Sequence, residues 1–491
     1  MLYYLFRYLS EYGITGAHLW SYISFRAILT LVLSLFLSMW LGEFFIKWMQ
    51  RHNYYEEPRS ADIDPFSRPR RVPSMGGLVI ILAIIIPTLL LGRLRNIYTL
   101  LMLGTTIWMG LFGFMDDWKK IKASRIIRLA IKQLKERGIE TPADIKELSQ
   151  LDDIYAEENK GKMRVFKHFK DVSELHQLKN LQGLVSSNAK DGISPLAKLI
   201  GQGLLGLAIG LTLWLSPDAV IHENVTIEKQ KGDVVMMKSE PVKSNMTTIP
   251  FVKEHNISYT GVMSFLGEYK HVAGWILFVS VALFFVMLIS NGANLNDGMD
   301  GMCAGNSAIM FFTLAILAYV SSHIALASYL NIMYVPGSEE LVVFLLACVG
   351  AMVGFLWYNA SEAQMWMGDT GSLTIGSIMA VTAVIIHKEL LLFFICFIFI
   401  AETLSSFFQT AVARRDNRRG NPTGKKIRLL KRAPIHDTFR YSVEQLLAAD
   451  PKLKFIICWP RGRWNDNKVT VRFWIITILA CAIAIATLKV R

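Results

Sequence analysis

Met109-Gly-Leu-Phe-Gly-Phe-Met-Asp-Asp-Trp-Lys-Lys-Ile-Lys122 is the point where a long apolar run meets charge. The run stops at two adjacent carboxylates, Asp116 and Asp117, followed by Lys119, Lys120 and Lys122. Carboxylates side by side at a membrane surface repel each other. A divalent cation or a phosphate-handling site supplies the missing counter-charge. Taken alone, the pair would only end a helix at the lipid headgroups. A second pair, Asp152-Asp153, follows no apolar run and reads as a solvated face.

Outward from this point, apolar runs dominate. Of 491 residues, 53% are hydrophobic, too many for a soluble protein with a surface to cover. Runs near the length that crosses a bilayer fall at about 24–49, 75–92, 98–115, 196–215, 273–291, 303–320, 341–358, 373–387, 389–410 and 470–488. The expected fold is an all-α polytopic membrane protein of about ten transmembrane helices, a single integral membrane domain over 1–491. The first run has no small-residue cleavage site after it and reads as a retained span. Residues 1–23 are aromatic-rich and suit the membrane interface.

Ten spans bring both termini to one side and gather loops 50–74, 116–195, 292–302, 359–370 and 411–469 on the other. Loop 411–469 holds Arg414, Arg415, Arg418, Arg419, Lys425, Lys426 and Arg428, whereas the opposite loop 322–340 has no Lys or Arg. By the positive-inside rule the basic side, with its active-site cleft, faces the cytoplasm. The net charge of +13 then reflects topology, and no nucleic-acid partner is expected. The five cysteines are scattered and make no CxxC pair, so neither a disulfide framework nor a zinc site is expected.

Three polar segments stand between spans. Residues 116–195 form the first, on the cytoplasmic side; within it Arg125–Ile139 is apolar at helical spacing with cations between, which suits an amphipathic helix on the membrane surface or on the core, and Thr141-Pro142-Ala143-Asp144 reads as a cap. Ser194-Pro195 caps the next span. Residues 217–272 lie outside, and VTIEKQKGDVVMMK (225–238) alternates around Gly232-Asp233 as a β-hairpin does. Residues 411–469 form a basic cytoplasmic loop.

Four polar clusters fall on the basic side. Arg68-Pro-Arg-Arg-Val-Pro-Ser-Met-Gly-Gly77 offers arginines for phosphate and glycines that admit close backbone approach. Asp116-Asp117 is the second. Asn294-Leu-Asn-Asp-Gly-Met-Asp-Gly301 has two carboxylates three apart but lacks the spacing of an EF-hand. Asn359–Ser372 holds Asp369 between Gly368 and Thr370-Gly371 at the start of a span, a position suited to a phosphate or a metal-bound phosphate, with Trp366 able to stack on a base. Three carboxylate clusters beside basic loops suggest Mg²⁺ and a phosphorylated substrate. No P-loop is present, which argues against a nucleotide-driven motor. A transporter would carry its charges nearer the bilayer midplane, so an enzyme is preferred over a transporter or scaffold.

PSMGG (Pro73–Gly77), GFMDD (Gly113–Asp117), NLNDGMDG (Asn294–Gly301), MGDTGS (Met367–Ser372), APIH (Ala433–His436) and the C-terminal TVRFWIITIL together resemble the polyprenyl-phosphate N-acetylhexosamine-1-phosphate transferases. PSMGG resembles the form found in the branch acting on UDP-MurNAc-pentapeptide. The resemblance implies transfer of phospho-MurNAc-pentapeptide to undecaprenyl phosphate, giving lipid I and UMP, the first membrane step of peptidoglycan synthesis. It implies a multi-pass protein of the bacterial inner membrane, Mg²⁺ as cofactor, and a homodimer. It implies that Asp369 holds Mg²⁺ and that Asp116 and Asp117 act on the lipid phosphate or help bind the metal. Asn294, Asp297 and Asp300 would line the nucleotide pocket, with Asn359, Trp366 and Gln409 completing it and Ser74 on the sugar side. Against the family pattern residues 125–186 are an extra cytoplasmic insertion; the chain rejoins that pattern at Asn188, Lys190 and Lys198, and the first two are expected at the substrate.

Two departures bear on the site. Where the family has a run of histidines, this chain has Pro434-Ile-His-Asp-Thr438, so His436 alone carries the expected catalytic role. Where a lysine commonly precedes the PTMGG-like motif stands Pro69, leaving Arg70 or Arg71 to take over. The reduced histidine run keeps open the sister reaction, GlcNAc-1-phosphate transfer from UDP-GlcNAc.

Overall fold

A computed structural model describes residues 1–14, 16–52, 54, 72–136, 192–223, 226–229, 235–238, 241–251, 256–418 and 426–489. Arg70, Arg71, Asn188, Lys190, the cap at 141–144, Asp152-Asp153 and the hairpin's Gly232-Asp233 tip lie outside them.

The chain starts with an amphipathic helix, α1 (Leu2–Glu11), and continues in long apolar ones. These are α2 (Ile23–Arg51), α3 (Gly77–Leu91), α4 (Ile97–Glu136), α5 (Pro195–Leu215), α6 (Lys270–Asn296), α7 (Met302–Ser322), α8 (Glu339–Asn359) and α9 (Gly368–Ile385). After them come α10 (Phe397–Arg418), two short helices, α11 (Ile435–Arg440) and α12 (Val443–Ala449), and α13 (Asp466–Thr487). Among the described residues, eight helices are long and apolar enough to cross a membrane; the bent pair Glu389–Ile395 and Phe397–Asp416 adds a ninth, and α3 is a shorter apolar helix. Each expected span coincides with one of these, and the protein is a polytopic helical membrane protein.

Burial orders the bundle. Every residue of α9 from Asp369 to Ile385 is buried, as expected of a helix that is apolar all round. It packs against α4 and α6, while α8 lies between α2 and α7. A charged staple closes the end of the bundle opposite Asp369. Arg26 of α2 meets Glu340 of α8 in a bidentate pair at 2.8 and 2.7 Å, both fully buried. Arg93 adds a contact to Glu340 at 3.3 Å, and Tyr3 of α1 lies under both guanidinium groups. Burial makes such a pair costly to half-remove.

Three features differ from expectation. First, α4 does not stop at the paired aspartates but runs on to Glu136, so the amphipathic helix expected from Arg125 is its continuation. Nothing between Asp117 and Glu136 is Gly or Pro, so no residue there breaks the helix. Second, the ninth span is broken. His387-Lys388-Glu389 turns the chain as expected, but a bend of 83° follows, between Glu389–Ile395 and Phe397–Asp416. Third, the described part of segment 411–469 is folded. Strand β1 (Lys426–Leu430) pairs in parallel with β2 (Leu453–Ile457), and α11 and α12 supply the crossover that parallel strands require. Ser442 and Gln445 form a capping box at the start of α12.

The expected hairpin is present, with Thr226–Lys229 antiparallel to Val235–Lys238 and Thr226 opposite Lys238. Ile221–His222 with Pro241–Val242, and Met246–Thr248 with Asn256–Ser258, add two short antiparallel pairs in the same segment. The expected cap on α5 is also present, its Ser194 side chain accepting from Ala197 N with Pro195 at the first turn.

Candidate active site

The site forms where the middle of α4 meets the first turn of α9. Close approach there depends on Gly113. A Cβ on it would meet the Asp369 carbonyl and Thr370 Cα at 2.5 Å. Asp117 then does for α9 what a capping residue in its own chain segment would do. Its carboxylate accepts from Asp369 N at 3.0 Å, Thr370 N at 2.8 Å and Thr370 Oγ1 at 2.6 Å. These N–H groups are among those a helix start leaves without partners.

Asp116, on the adjacent position, accepts from Ile193 N at 2.5 Å. Its Oδ2 also takes two ammonium groups, Lys120 at 2.6 Å and Lys198 at 2.9 Å. The same two lysines reach Asp369 Oδ2, Lys198 at 2.5 Å and Lys120 at 3.2 Å. One oxygen from each of Asp116, Asp117 and Asp369 lies within 4.8 Å of the others. All three carboxylates are buried. Taking a charge out of water costs several kcal/mol after relaxation, roughly, unless partners replace the water. Here two ammoniums and four N–H or O–H donors do so, yet three carboxylates against two ammoniums leave one negative charge. An all-oxygen, net-negative set of this kind suits a hard divalent cation, so the residues fit a metal such as Mg²⁺.

Two other motifs wrap this centre. Trp366 N donates to Pro73 O, while Gly76 N and Gly77 N donate to Trp366 O and Met367 O, so PSMGG lies along the loop that carries Asp369. A Cβ on Gly77 would collide with the backbone of Gly371. The glycines of this motif therefore admit another protein backbone, where a ligand was expected. Ser74 is buried beneath them. From NLNDGMDG, Asn294 Nδ2 donates to Ser372 Oγ at 3.0 Å, and that hydroxyl donates to Gly368 O at 3.0 Å.

The remaining expected site residues divide by what they hold. Asp300 accepts from Ala363 N at 3.0 Å and from the Trp366 indole at 3.4 Å. Asn359 accepts from Gly301 N and donates to Met365 O. These three side chains join two loops, and Trp366 is thereby fixed by its edge. Asp297 caps the end of α6. Gln409 pairs both backbone groups of Leu430, so its amide extends the edge of β1.

His436 is buried, with Nδ1 3.0 Å from Glu402 Oε1 and Nε2 3.6 Å from Asp437 Oδ1. Nε2 faces Gly298, where any Cβ would strike it. Burial lowers the proton affinity of the ring, but the charge and hydrogen bond of Glu402, with Asp437 beyond, outweigh it and raise the pKa.

Sequence reasoning did not place Lys120, Lys198, Thr370 or Glu402 at the site. Each carried a readable sign. Lys120 stands one helical turn after Asp116, and Lys198 is the single charge in the run Pro195–Leu215. Glu402 is the single charge between Phe397 and Ala413.

The chain is similar to known proteins over its whole length. A family model described as glycosyl transferase family 4 matches residues 242–387, which include Asp300, Trp366 and Asp369. The chain is 46% identical over 494 residues to the phospho-N-acetylmuramoyl-pentapeptide-transferase of Phocaeicola vulgatus, with all of both chains covered. It is 46% identical over 493 residues to the protein of that name from Bacteroides fragilis and 40% identical over 496 residues to that of Porphyromonas gingivalis, again with all of both chains covered. Full coverage means that residues 125–186 are not peculiar to this sequence.

Proposed function

The chain belongs to the phospho-N-acetylmuramoyl-pentapeptide-transferase family, and from that premise we propose how its residues carry the reaction. Phospho-MurNAc-pentapeptide passes from UDP-MurNAc-pentapeptide to undecaprenyl phosphate, giving lipid I and UMP. A lipid phosphate oxygen attacks the sugar-bearing phosphorus of the UDP-sugar. The bridging P–O bond breaks, and its electron pair leaves with UMP. The observation that carries this reading is the cluster of Asp116, Asp117 and Asp369 bridged by Lys120 and Lys198.

Two anionic phosphates must come within bonding distance, so positive charge is the main requirement. Asp369, with Asp116 and Asp117, would hold Mg²⁺, which when bound supplies positive charge to the diphosphate. Lys120 and Lys198 rest on carboxylate oxygens and carry the charge that a phosphate oxygen would take up. Asp117 holds the first turn of α9, and so the Asp369 backbone, in register with α4. Asn294, Asp297, Asp300, Asn359 and Trp366 line the nucleotide side, with Ser74 and Gln409 at its borders. Arg70, Arg71, Asn188 and Lys190 are assigned to the substrate from sequence alone. The site faces the cytoplasm of a bacterial inner membrane, where the soluble nucleotide and the lipid meet, and the protein works as a homodimer.

The test is UMP release by purified protein in lipid. Release should require UDP-MurNAc-pentapeptide, undecaprenyl phosphate and Mg²⁺ together. Lipid product from UDP-GlcNAc alone would overturn the substrate. Unchanged release in Asp369→Asn and Asp116→Asn would overturn the site.

A further inference from the structure

Glu402 stands in the second limb of the broken span, α10, and is fully buried. An ionised carboxylate in such a place is costly unless its partners are good. Glu402 Oε1 has His436 Nδ1 at 3.0 Å, whereas Oε2 is buried with no hydrogen-bond partner. A carboxylate can accept at both oxygens, and this one is spent on a single imidazole. The ring is gripped from the membrane side. Its other nitrogen points to Gly298, in the loop that carries Asp297 and Asp300.

We infer that Glu402 is a positioning residue for His436, fixing Nδ1–H toward the span and presenting Nε2 to a phosphate oxygen of the nucleotide diphosphate at the Asp297–Asp300 loop. The inference rests on the proposed transfer reaction. The carboxylate accepts, so Nδ1 must carry the proton, and the orientation of Nε2 follows from ring geometry. Because Glu402 is negative, it also favours the doubly protonated ring, whose Nε2–H donates to an anion.

Charges face this ring from several elements. Glu402 comes from α10, and Asp437 sits on the ring's own helix, held in turn by Arg432 at 3.2 Å. Arg440, one turn on, reaches Gly298 O at 3.5 Å and Asp466 of α13 at 3.3 Å. Asp297 precedes Gly298 on the facing loop. Of these, Glu402 has one ring nitrogen to itself. The close approach of Gly298 belongs to the same design, since any side chain there would strike Nε2.

The experiment is the pH profile of UMP release for wild type, Glu402→Gln and Glu402→Asp. In wild type the rate falls on the alkaline side as His436 loses its proton. In Glu402→Gln that limb should move to lower pH by about one unit, and Glu402→Asp should bring it back toward wild type. Equal rate loss at every pH in Glu402→Gln, with the limb unmoved, overturns the inference. A second measurement needs no substitution at Glu402: ¹⁵N imidazole shifts of the wild type, with His436 assigned by difference from His436→Gln. The neutral ring should carry its proton on Nδ1; a proton on Nε2 with Nδ1 bare overturns the inference. Absence of UMP release by the wild type would instead overturn the transfer reaction, and the ¹⁵N readout would still decide the dyad.

Discussion

Asp117 caps a helix to which it does not belong: from the middle of α4 it accepts both the amide and the hydroxyl of Thr370 in the first turn of α9. The carboxylate thus joins the two elements that carry the acidic cluster. Asp117→Asn keeps the size but puts an amide N–H₂ where two donors already point. It should cost about 2 kcal/mol of stability and at least about 100-fold in rate. Thr370→Ala removes one bond and should cost about 1 kcal/mol with much of the rate retained. Thermal unfolding in detergent and UMP release check both. Equal effects of the two changes would refute the capping role.

Lys198 bridges Asp116 and Asp369 from α5. Lys198→Met should lower the rate by about 100-fold or more, because a preorganised charge is lost. Lys198→Arg should retain part of it. A rate within twofold of wild type for Lys198→Met would remove this lysine from the mechanism.

Chelation offers a test independent of turnover. EDTA should abolish UMP release, and Mg²⁺ should raise the thermal midpoint of the apoprotein by binding the folded state alone. Asp369→Asn should lose that rise. A variant that is stabilised by Mg²⁺ as much as the wild type would place the ion elsewhere.

Arg26 and Glu340 make a stability prediction far from the chemistry. Arg26→Met strands a buried carboxylate and should cost about 3 kcal/mol, the low end for a broken buried pair, because Arg93 stays within reach of Glu340. The double variant Arg26→Met with Glu340→Leu should recover most of that loss. Unfolding midpoints of the two singles and the double give the coupling. Additive losses would mean the pair contributes little.

His436 makes a pH prediction. Its pKa in the folded protein lies above the ordinary 6.5. The stability it contributes is therefore complete below 6.5 and is lost as pH rises through the raised value. The difference in thermal midpoint between wild type and His436→Gln should be largest near pH 6 and shrink on the alkaline side. A difference that grows with pH would reverse the assignment.

Helix positions were legible in the sequence because apolar runs of bilayer length announce themselves, and Ser194-Pro195 and the 225–238 alternation marked their elements correctly. The end of α4 was misread for a physical reason. A change from apolar to charged residues marks where a membrane ends, whereas a helix ends where its backbone is broken, and no residue there breaks it. The 83° bend after Ile395 lies within an uninterrupted apolar run. Asp116, Asp117 and Asp369 were readable as carboxylates at span ends. The roles of Gly76 and Gly77 were not, since a glycine's neighbour across space has no trace in its own segment. Lys198 and Glu402 show that a lone charge in an apolar run carries as much information as a motif.

The uninterrupted course of α4 has a mechanical consequence. Forty residues of helix make a rod about 60 Å long, and Asp116 sits midway along it. Residues at its far end open the 125–186 insertion. Asp116 and Lys120 therefore share one unbroken helix with the residues that open that segment, so the spacing between the acidic cluster and the start of the segment is fixed by a single rod.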